Sequence, residues 1–426
     1  MELSALYQLY LQHPVIETDT RKLKPGVIFF ALSGPNFDGN TFAAEALQKG
    51  AAYVVMNNPT LAVDDRCIVV TDVLQTLQQL ARHHRQQLNI PFIAVTGSNG
   101  KTTTKELIAT VLSKKYITYA TTGNLNNHIG VPLTLLKIRQ DAQMAIIEMG
   151  ANHQKEIASY CEIALPDYGL ITNCGKAHIE GFGGIEGVRK GKGELYDFLR
   201  VHNGTVFINT DLDYLHDMAK GIAKQVSYGT ETADYTGTPE MDGVFLKVSV
   251  TAGGDVADMH THLVGIYNYP NVIAAVAIGM HFGVSINDIK SAIEAYNPDN
   301  SRSQWITKGT NKIILDAYNA NPTSMKAAIQ NFAATNLPNK MLWIGGMKEM
   351  GDAEHEEHQQ LVELIATYPW KDVILVGNEF KGLEGPYRWF ETSGDAAADI
   401  AAHPPYDSSI LVKGSRGSRM EVMVNG

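Results

Sequence analysis

The sequence predicts an α/β protein of three domains, and three observations carry that prediction. Its 426 residues exceed what one hydrophobic core ordinarily organises. Short apolar runs of strand length alternate with segments of helical length along the chain. Two polar breaks, one ending at Pro91 and one around Pro298 and Asn300, interrupt the alternation. They divide the chain into a small N-terminal α/β domain (1–83), a central domain (84–300) and a smaller C-terminal domain (301–426).

In the first domain, strands are expected at 27–32, 52–56 and 68–70, with a helix at 41–48 between the first two. The polar stretch 82–89 reads as a linker. The central domain opens with an apolar strand at 92–96, a glycine turn and a helix at 102–114. Further strands are expected at 144–147, 169–172 and 205–209, a hairpin at 244–251 and 259–264, and helices at 271–282 and 287–296. Strands alternating with helices imply a mostly parallel sheet covered on both faces. After the second break the alternation resumes, with strands at 312–315, 341–344, 373–376 and 410–412. Helices at 324–335, 354–368 and 395–402 separate them.

Composition narrows the function classes. Hydrophobic residues make up 44% and charged residues 19%, as in a soluble globular protein. A formal net charge of −10, without aromatic–basic interleaving, argues against a nucleic-acid binder. Cys67, Cys161 and Cys174 are widely spaced and read as reduced, buried thiols. The opening residues lack a basic start and a long apolar run, and no stretch approaches the ~18 residues of a membrane span. A cytoplasmic protein without membrane insertion is expected.

The segment TGSNGKTT at 96–103 follows the apolar strand and opens the helix. A phosphate loop needs this context, because backbone N–H groups must converge on phosphate oxygens. Gly97 and Gly100 permit the turn, with Ser98, Asn99 and Thr103 beside them. Lys101 can reach the β- and γ-phosphates, and the Thr102 hydroxyl can ligate Mg²⁺. Val95 stands where the widely used consensus has its first glycine, so the loop is a variant form. Glu148 ends the 144–147 strand, a position suited to holding a metal beside such a loop. His178 follows the 169–172 strand and a turn. Asp316 ends the 312–315 strand and leads a polar, turn-forming run. Lys192 shares the apolar stripe of Val188, Leu195 and Leu199, spaced 4, 3 and 4 apart, whereas Arg189 and Lys190 do not. An inward lysine tends to lose its proton and become nucleophilic, a candidate for chemistry or modification.

On these residues the chain resembles the Mur ligase family, the amide-forming enzymes of peptidoglycan precursor synthesis, over essentially its whole length. The loop at 96–103 resembles the family's nucleotide loop, and EMG at 148–150 its metal-binding glutamate. His178, after NCGKA at 173–177, matches the second metal-site position. KGE at 192–194 matches the carbamoylated lysine. NYPN at 268–271 and DAYNAN at 316–321 resemble the adenine- and ribose-contacting segments, implying contacts from Asn268, Asn271, Asp316, Asn319 and Asn321. Arg302 resembles the interdomain arginine near the phosphates. The resemblance implies a uridine-nucleotide domain, a central P-loop ATPase domain and a Rossmann-like third domain.

Further segments resemble the member that joins D-alanyl-D-alanine to a UDP-N-acetylmuramoyl-tripeptide. They are TDTRKL at 18–23, FDGN at 37–40, GNLNNHIGVPLT at 123–134, HIEGFG at 178–183 and LVKGSRGSRME at 411–421. Substrate contacts are then implied for Thr20, Arg21, Asn126, Asn127, Lys413, Ser415 and Arg416, with Arg419 nearby. The implied cofactors are ATP and Mg²⁺, the metal held by Thr102, Glu148, His178 and carbamoylated Lys192. Lys101, His178 and Lys192 are the expected catalytic residues, and a monomer is expected. Asn40, His128 and Gly346 depart from the family's common histidine, glutamate and aspartate. Addition of a diamino acid, or folate polyglutamation, would use the same loop, glutamate and lysine.

Overall fold

The computed structural model describes residues 2–252, 255–299 and 301–425; Asn300, at the expected second break, lies outside the described residues. Three sheets follow one another along the chain. The first has four parallel strands in sequence order, Ile16–Glu17, Ile28–Phe30, Tyr53–Met56 and Cys67–Val69. The third has six, with Ser409–Lys413 between Asn311–Asp316 and Lys340–Gly345 and parallel to both.

The nine-stranded central sheet positions the site. Phe92–Thr96 lies between Met144–Glu148 and Tyr168–Ile171, parallel to both. Thr205–Asn209 and Lys224–Gly229 continue the parallel part. An antiparallel meander of Tyr235–Asp242, Phe245–Ala252 and Asp255–Val264 extends the far edge. All five residues of Phe92–Thr96 are buried. A parallel strand covered on both faces reads as an apolar run, as residues 92–95 do, and the buried Thr96 that ends it donates its hydroxyl to Met149 O at 2.7 Å. Helices Lys101–Leu112 and Tyr269–His281 pack one face through Leu107, Ile108, Val272 and Ile273. Ile185–Val201 and Glu156–Ala164 pack the other through Leu195, Leu199, Ile157 and Tyr160.

Several expectations are corrected. Residues 82–86 of the expected linker belong to a helix, Val73–Gln86, capped by Asp72. Its polar residues conceal an inward face of Leu77, Leu80, Ala81, His84 and Arg85. Both polar members are buried with carbonyls accepting from their N–H groups: His84 Nε2 meets Ile138 O at 2.8 Å, and Arg85 Nε donates to Ala164 O at 3.0 Å. The N-terminal helix Leu3–Gln12 and the strands Thr118–Ala120, Gln304–Lys308 and Arg388–Phe390 add to the expected elements. These strands lie at sheet edges, where one row of backbone groups is unpaired and the apolar signal is weak. All three cysteines are free; Cys161 and Cys174 are buried, while Cys67, on an edge strand, is only half-buried. Among the described residues, no helix is long and apolar enough to cross a membrane.

Candidate active site

The phosphate loop leaves its strand through Gly97 (φ 143°) and reaches its helix through Gly100 (φ 80°), backbone states that favour glycine. At Gly97 a Cβ would run into Thr172, and at Gly100 into the Asn271 carboxamide. The loop is clamped by the turn after the neighbouring strand. Ser98 N donates to Asn173 O at 2.8 Å, Asn99 N to Asn173 Oδ1 at 3.0 Å, and Thr172 Oγ1 to Asn99 O at 2.6 Å. From beneath, Thr104 Oγ1 donates to Asn271 Oδ1 at 3.0 Å, and Asn271 Nδ2 to Asn268 Oδ1 at 2.9 Å. Lys101 Nζ donates to Gly97 O at 2.7 Å and Ser98 O at 3.2 Å, so its charge lies over the loop. Burial, reinforced by Arg302 and opposed by Glu148, brings its pKa down to about 8.

Glu148, 1% exposed, faces the first turn of that helix. Its Oε1 accepts from Thr102 Oγ1 at 3.2 Å and from Asn126 Nδ2 at 2.7 Å. Its Oε2 is buried with no hydrogen-bond partner. A buried carboxylate oxygen left in that state is costly unless a cation or donor joins it, and an oxygen pair of Thr102 and Glu148 suits a hard divalent ion. Asn127 follows Asn126, and its Oδ1 accepts at 2.9 Å from the N–H of Gly130, the first residue of the next helix.

Lys192 is 1% exposed, as its place on the apolar stripe requires. Its Nζ donates to Ala151 O at 3.0 Å and lies 4.9 Å from the Phe182 ring centre. Burial, with the charge of Lys101, brings its pKa down to about 7, so much of the amine is unprotonated near neutrality. It stands behind the cleft wall, next to the lining residues Ala151 and Cys174. His178 adopts a left-handed conformation (φ 54°), and its Nδ1 meets the Glu349 carboxylate of the third domain. Burial lowers its pKa against the pull of Glu349. Among the described residues, no group of three or more His, Cys, Asp or Glu is placed to hold a metal.

The third domain closes the cleft, whose volume is about 880 Å³. Asn321 Nδ2 donates to Asn99 Oδ1 at 2.7 Å while its own Oδ1 caps the helix Pro322–Ala334. Lys413 Nζ meets Asp316 Oδ2 at 2.5 Å, both beside the cleft. Arg302 stacks on Tyr318 at 3.7 Å, and Arg416 approaches the same ring at 5.5 Å. His178, Tyr318 and Asn319 also line a second cavity of about 350 Å³, which Lys348, Glu349, Ser415 and Arg416 complete.

Not every candidate reaches these cavities. Thr20 and Arg21 lie in a short 3₁₀ turn of the first domain, with Arg21 bonded to Asp19. Arg419 is exposed and lines neither cavity. Thr103, Asn268 and Asn271 line the cleft. Of the departures, Asn40 ties its turn to the next strand end through Asn57, His128 lines the cleft, and Gly346 stands against Glu379. Sequence reasoning missed Glu349, Tyr318 and Asn173. The last two sat within quoted motifs, while nothing local marked Glu349.

Residues 14–85 match the family model described as Mur ligase family, catalytic domain. Residues 95–279 match the Mur ligase middle domain, and 301–416 the Mur ligase, glutamate ligase domain. The chain is 34% identical over 422 residues to UDP-N-acetylmuramoyl-tripeptide–D-alanyl-D-alanine ligase of Bacillus subtilis (strain 168), covering 96% of this chain and 92% of that one. It superposes on MurF from Acinetobacter baumannii with a TM-score of 0.87 at 32% identity, covering 98% and 97% of the two chains. MurF ligase from Thermotoga maritima in complex with ADP gives 0.86 at 25% identity, covering 97% of each. The chain belongs to the Mur ligase family.

Proposed function

Given that membership, we propose that this ATP-dependent ligase joins D-alanyl-D-alanine to the terminal carboxylate of a UDP-N-acetylmuramoyl-tripeptide in peptidoglycan precursor synthesis. The observation that carries the chemistry is the convergence of Lys101, Thr102, Glu148 and Arg302 on one cleft that shares walls with a second, charged cavity. The names of the full-length relatives supply the substrates.

The peptide carboxylate attacks the γ-phosphate of ATP, giving an acyl phosphate and ADP. An anion approaching a phosphate needs its charge masked, a task suited to Lys101 and Arg302. Mg²⁺ held by Thr102 and Glu148 would neutralise phosphate charge further, and the unpartnered Glu148 Oε2 fits that role. The acceptor's ammonium first gives up a proton to solvent; the free amine then attacks the acyl carbon, and phosphate leaves carrying the nitrogen's second proton. The second cavity suits a zwitterionic dipeptide, with Glu349 for its ammonium and Lys348 or Arg416 for its carboxylate. Lys413 and Ser415 would shape the third-domain side, and Thr20 and Arg21 the uridine nucleotide. Asn268, Asn271, Asp316 and Asn319 would frame the nucleoside.

Lys192 is read as carbamoylated. Its unprotonated amine can attack CO₂, forming a C–N bond and releasing a proton. The resulting anion would give His178 an oxygen partner for a second Mg²⁺, which a free lysine could not. The reading takes the enzyme as a cytoplasmic monomer, and a light-scattering mass of one chain is expected.

Phosphate release from ATP with the UDP-linked tripeptide should depend on D-alanyl-D-alanine and yield a pentapeptide nucleotide. Turnover with a free diamino acid or glutamate instead would keep the ligase and overturn the assigned step. The carbamate should appear as a ¹³C signal after exchange with labelled bicarbonate and vanish in Lys192→Ala.

A further inference from the structure

Two glycines of the third domain leave room for one carboxylate. Gly346 follows the strand Lys340–Gly345, and Gly377 follows Asp372–Val376. A Cβ on Gly346 would stand 2.5 Å from Glu379 Oε2, and one on Gly377 would meet the same oxygen. The Glu379 side chain, 6% exposed, fills that gap and pairs with the Lys348 ammonium. The Lys348 stem rests against Gly417, whose Cβ position lies 3.8 Å from both Cγ and Cε. Gly346 O accepts from Ser415 N at 3.2 Å and Ser418 Oγ at 3.0 Å, so the turns carrying Lys348 and Arg416 are tied together. Lys348, with its side chain 54% exposed, lines the second cavity.

A buried carboxylate is costly to desolvate, and a pair with a half-exposed lysine returns little stability. What the pair does provide is geometry. A lysine on a free four-carbon stem samples many rotamers and loses side-chain entropy when held in one. Glu379 holds it in one before any ligand arrives.

We infer that Glu379 is a positioning residue for the incoming amine substrate: it fixes Lys348 at the second cavity, where the ammonium meets the substrate's free carboxylate. The inference rests on the reading that the acceptor enters that cavity. Because Gly346 is not in a left-handed conformation, a side chain there is conformationally allowed. An aspartate at 346 could therefore supply the carboxylate from the other side once Glu379 is removed.

The test is steady-state kinetics on the full chain with each of the three substrates. Glu379→Gln, nearly isosteric, and Glu379→Ala should each raise KM for D-alanyl-D-alanine about tenfold, the loss of one charge-assisted contact. KM for ATP and the UDP-linked tripeptide, kcat and Tm should stay near the wild type. Lys348→Ala should give the same shift, with no addition in the double variant. The variant carrying both Glu379→Ala and Gly346→Asp should recover most of the loss. An unchanged dipeptide KM in both Glu379 variants would overturn the inference, as would equal rises for all three substrates with a lower Tm. Refusal of the dipeptide by the wild-type enzyme would overturn the functional reading instead. The same KM comparison on the amino acid it accepts would then decide the role of Glu379.

Discussion

The two junctions of this molecule are built from opposite materials. Between the first and central sheets the core is continuous: Ile28, Phe30 and Val55 belong to one apolar cluster with Leu135, Ile157 and Leu195. The helix Val73–Gln86 lies inside that cluster and contributes Leu77 and Leu80 to it. Between the central and third domains polar contacts join Asn99 with Asn321, Lys176 with Glu357, and His178 with Glu349. Val264 and Phe245 add apolar contact with Trp305 beside the chain crossing. Apolar burial is non-directional and is not weakened by charge screening, whereas polar pairs need geometry and ion pairs are screened by salt. The first junction is therefore suited to being permanent, and the second to opening and closing around substrates.

The comparison can be broken most severely at the first junction. Leu77→Ala, at a fully buried position, should cost about 2–5 kcal/mol, read as a lower urea midpoint for the whole first-and-central unit. Separate melting of the first sheet, with the central domain intact, would show that the core is not shared.

Acid should also attack this junction. His84 is 2% exposed, and burial lowers its pKa. A depressed histidine pKa means the neutral form is favoured on folding. Its contribution is full above the ordinary value near 6.5 and is lost as pH falls through the folded pKa. Thermal melts between pH 7 and pH 5 should show a downward slope that flattens in His84→Gln. His358 works the same way within the third domain, its Nε2 accepting from Met347 N at 2.9 Å, so some slope should persist.

Salt should attack the second junction and spare the first. Raising ionic strength tenfold should weaken the Lys176–Glu357 and His178–Glu349 contacts and raise the radius of gyration in small-angle scattering. The radius should return on adding ATP and the UDP-linked tripeptide. The smallest effect belongs to Lys176→Ala. Its pair with Glu357, at 2.6 Å and side-chain exposures of 49% and 9%, should contribute under about 1 kcal/mol to stability. Scattering should nonetheless show a larger radius for the ligand-free variant.

The loop at the centre of the site was legible because it is local in sequence. A strand, Gly97, Gly100, Lys101 and Thr102 follow one another, and each backbone state there is set by residues a few positions away. Lys192 was legible for a related reason: helical periodicity alone put it on the face of Val188, Leu195 and Leu199, and all four are buried. The helix Val73–Gln86 was partly misread because arginine and histidine near its end resemble a solvated linker. Partners supplied by distant elements, among them the carbonyls of Ile138, Ala164 and Leu165 and the Asp167 carboxylate, satisfy their buried N–H groups.

The sequence by itself determined the α/β class, the phosphate loop, the carboxylate at a strand end and the inward lysine, since all depend on near-neighbour sterics and periodicity. Only the tertiary structure decided that Glu349 reaches His178, that Glu379 settles between Gly346 and Gly377, and that Arg302 and Arg416 both approach the Tyr318 ring. Those contacts depend on sheet order and on how whole domains meet. A side chain carries no local mark of the partner that packing will bring to it.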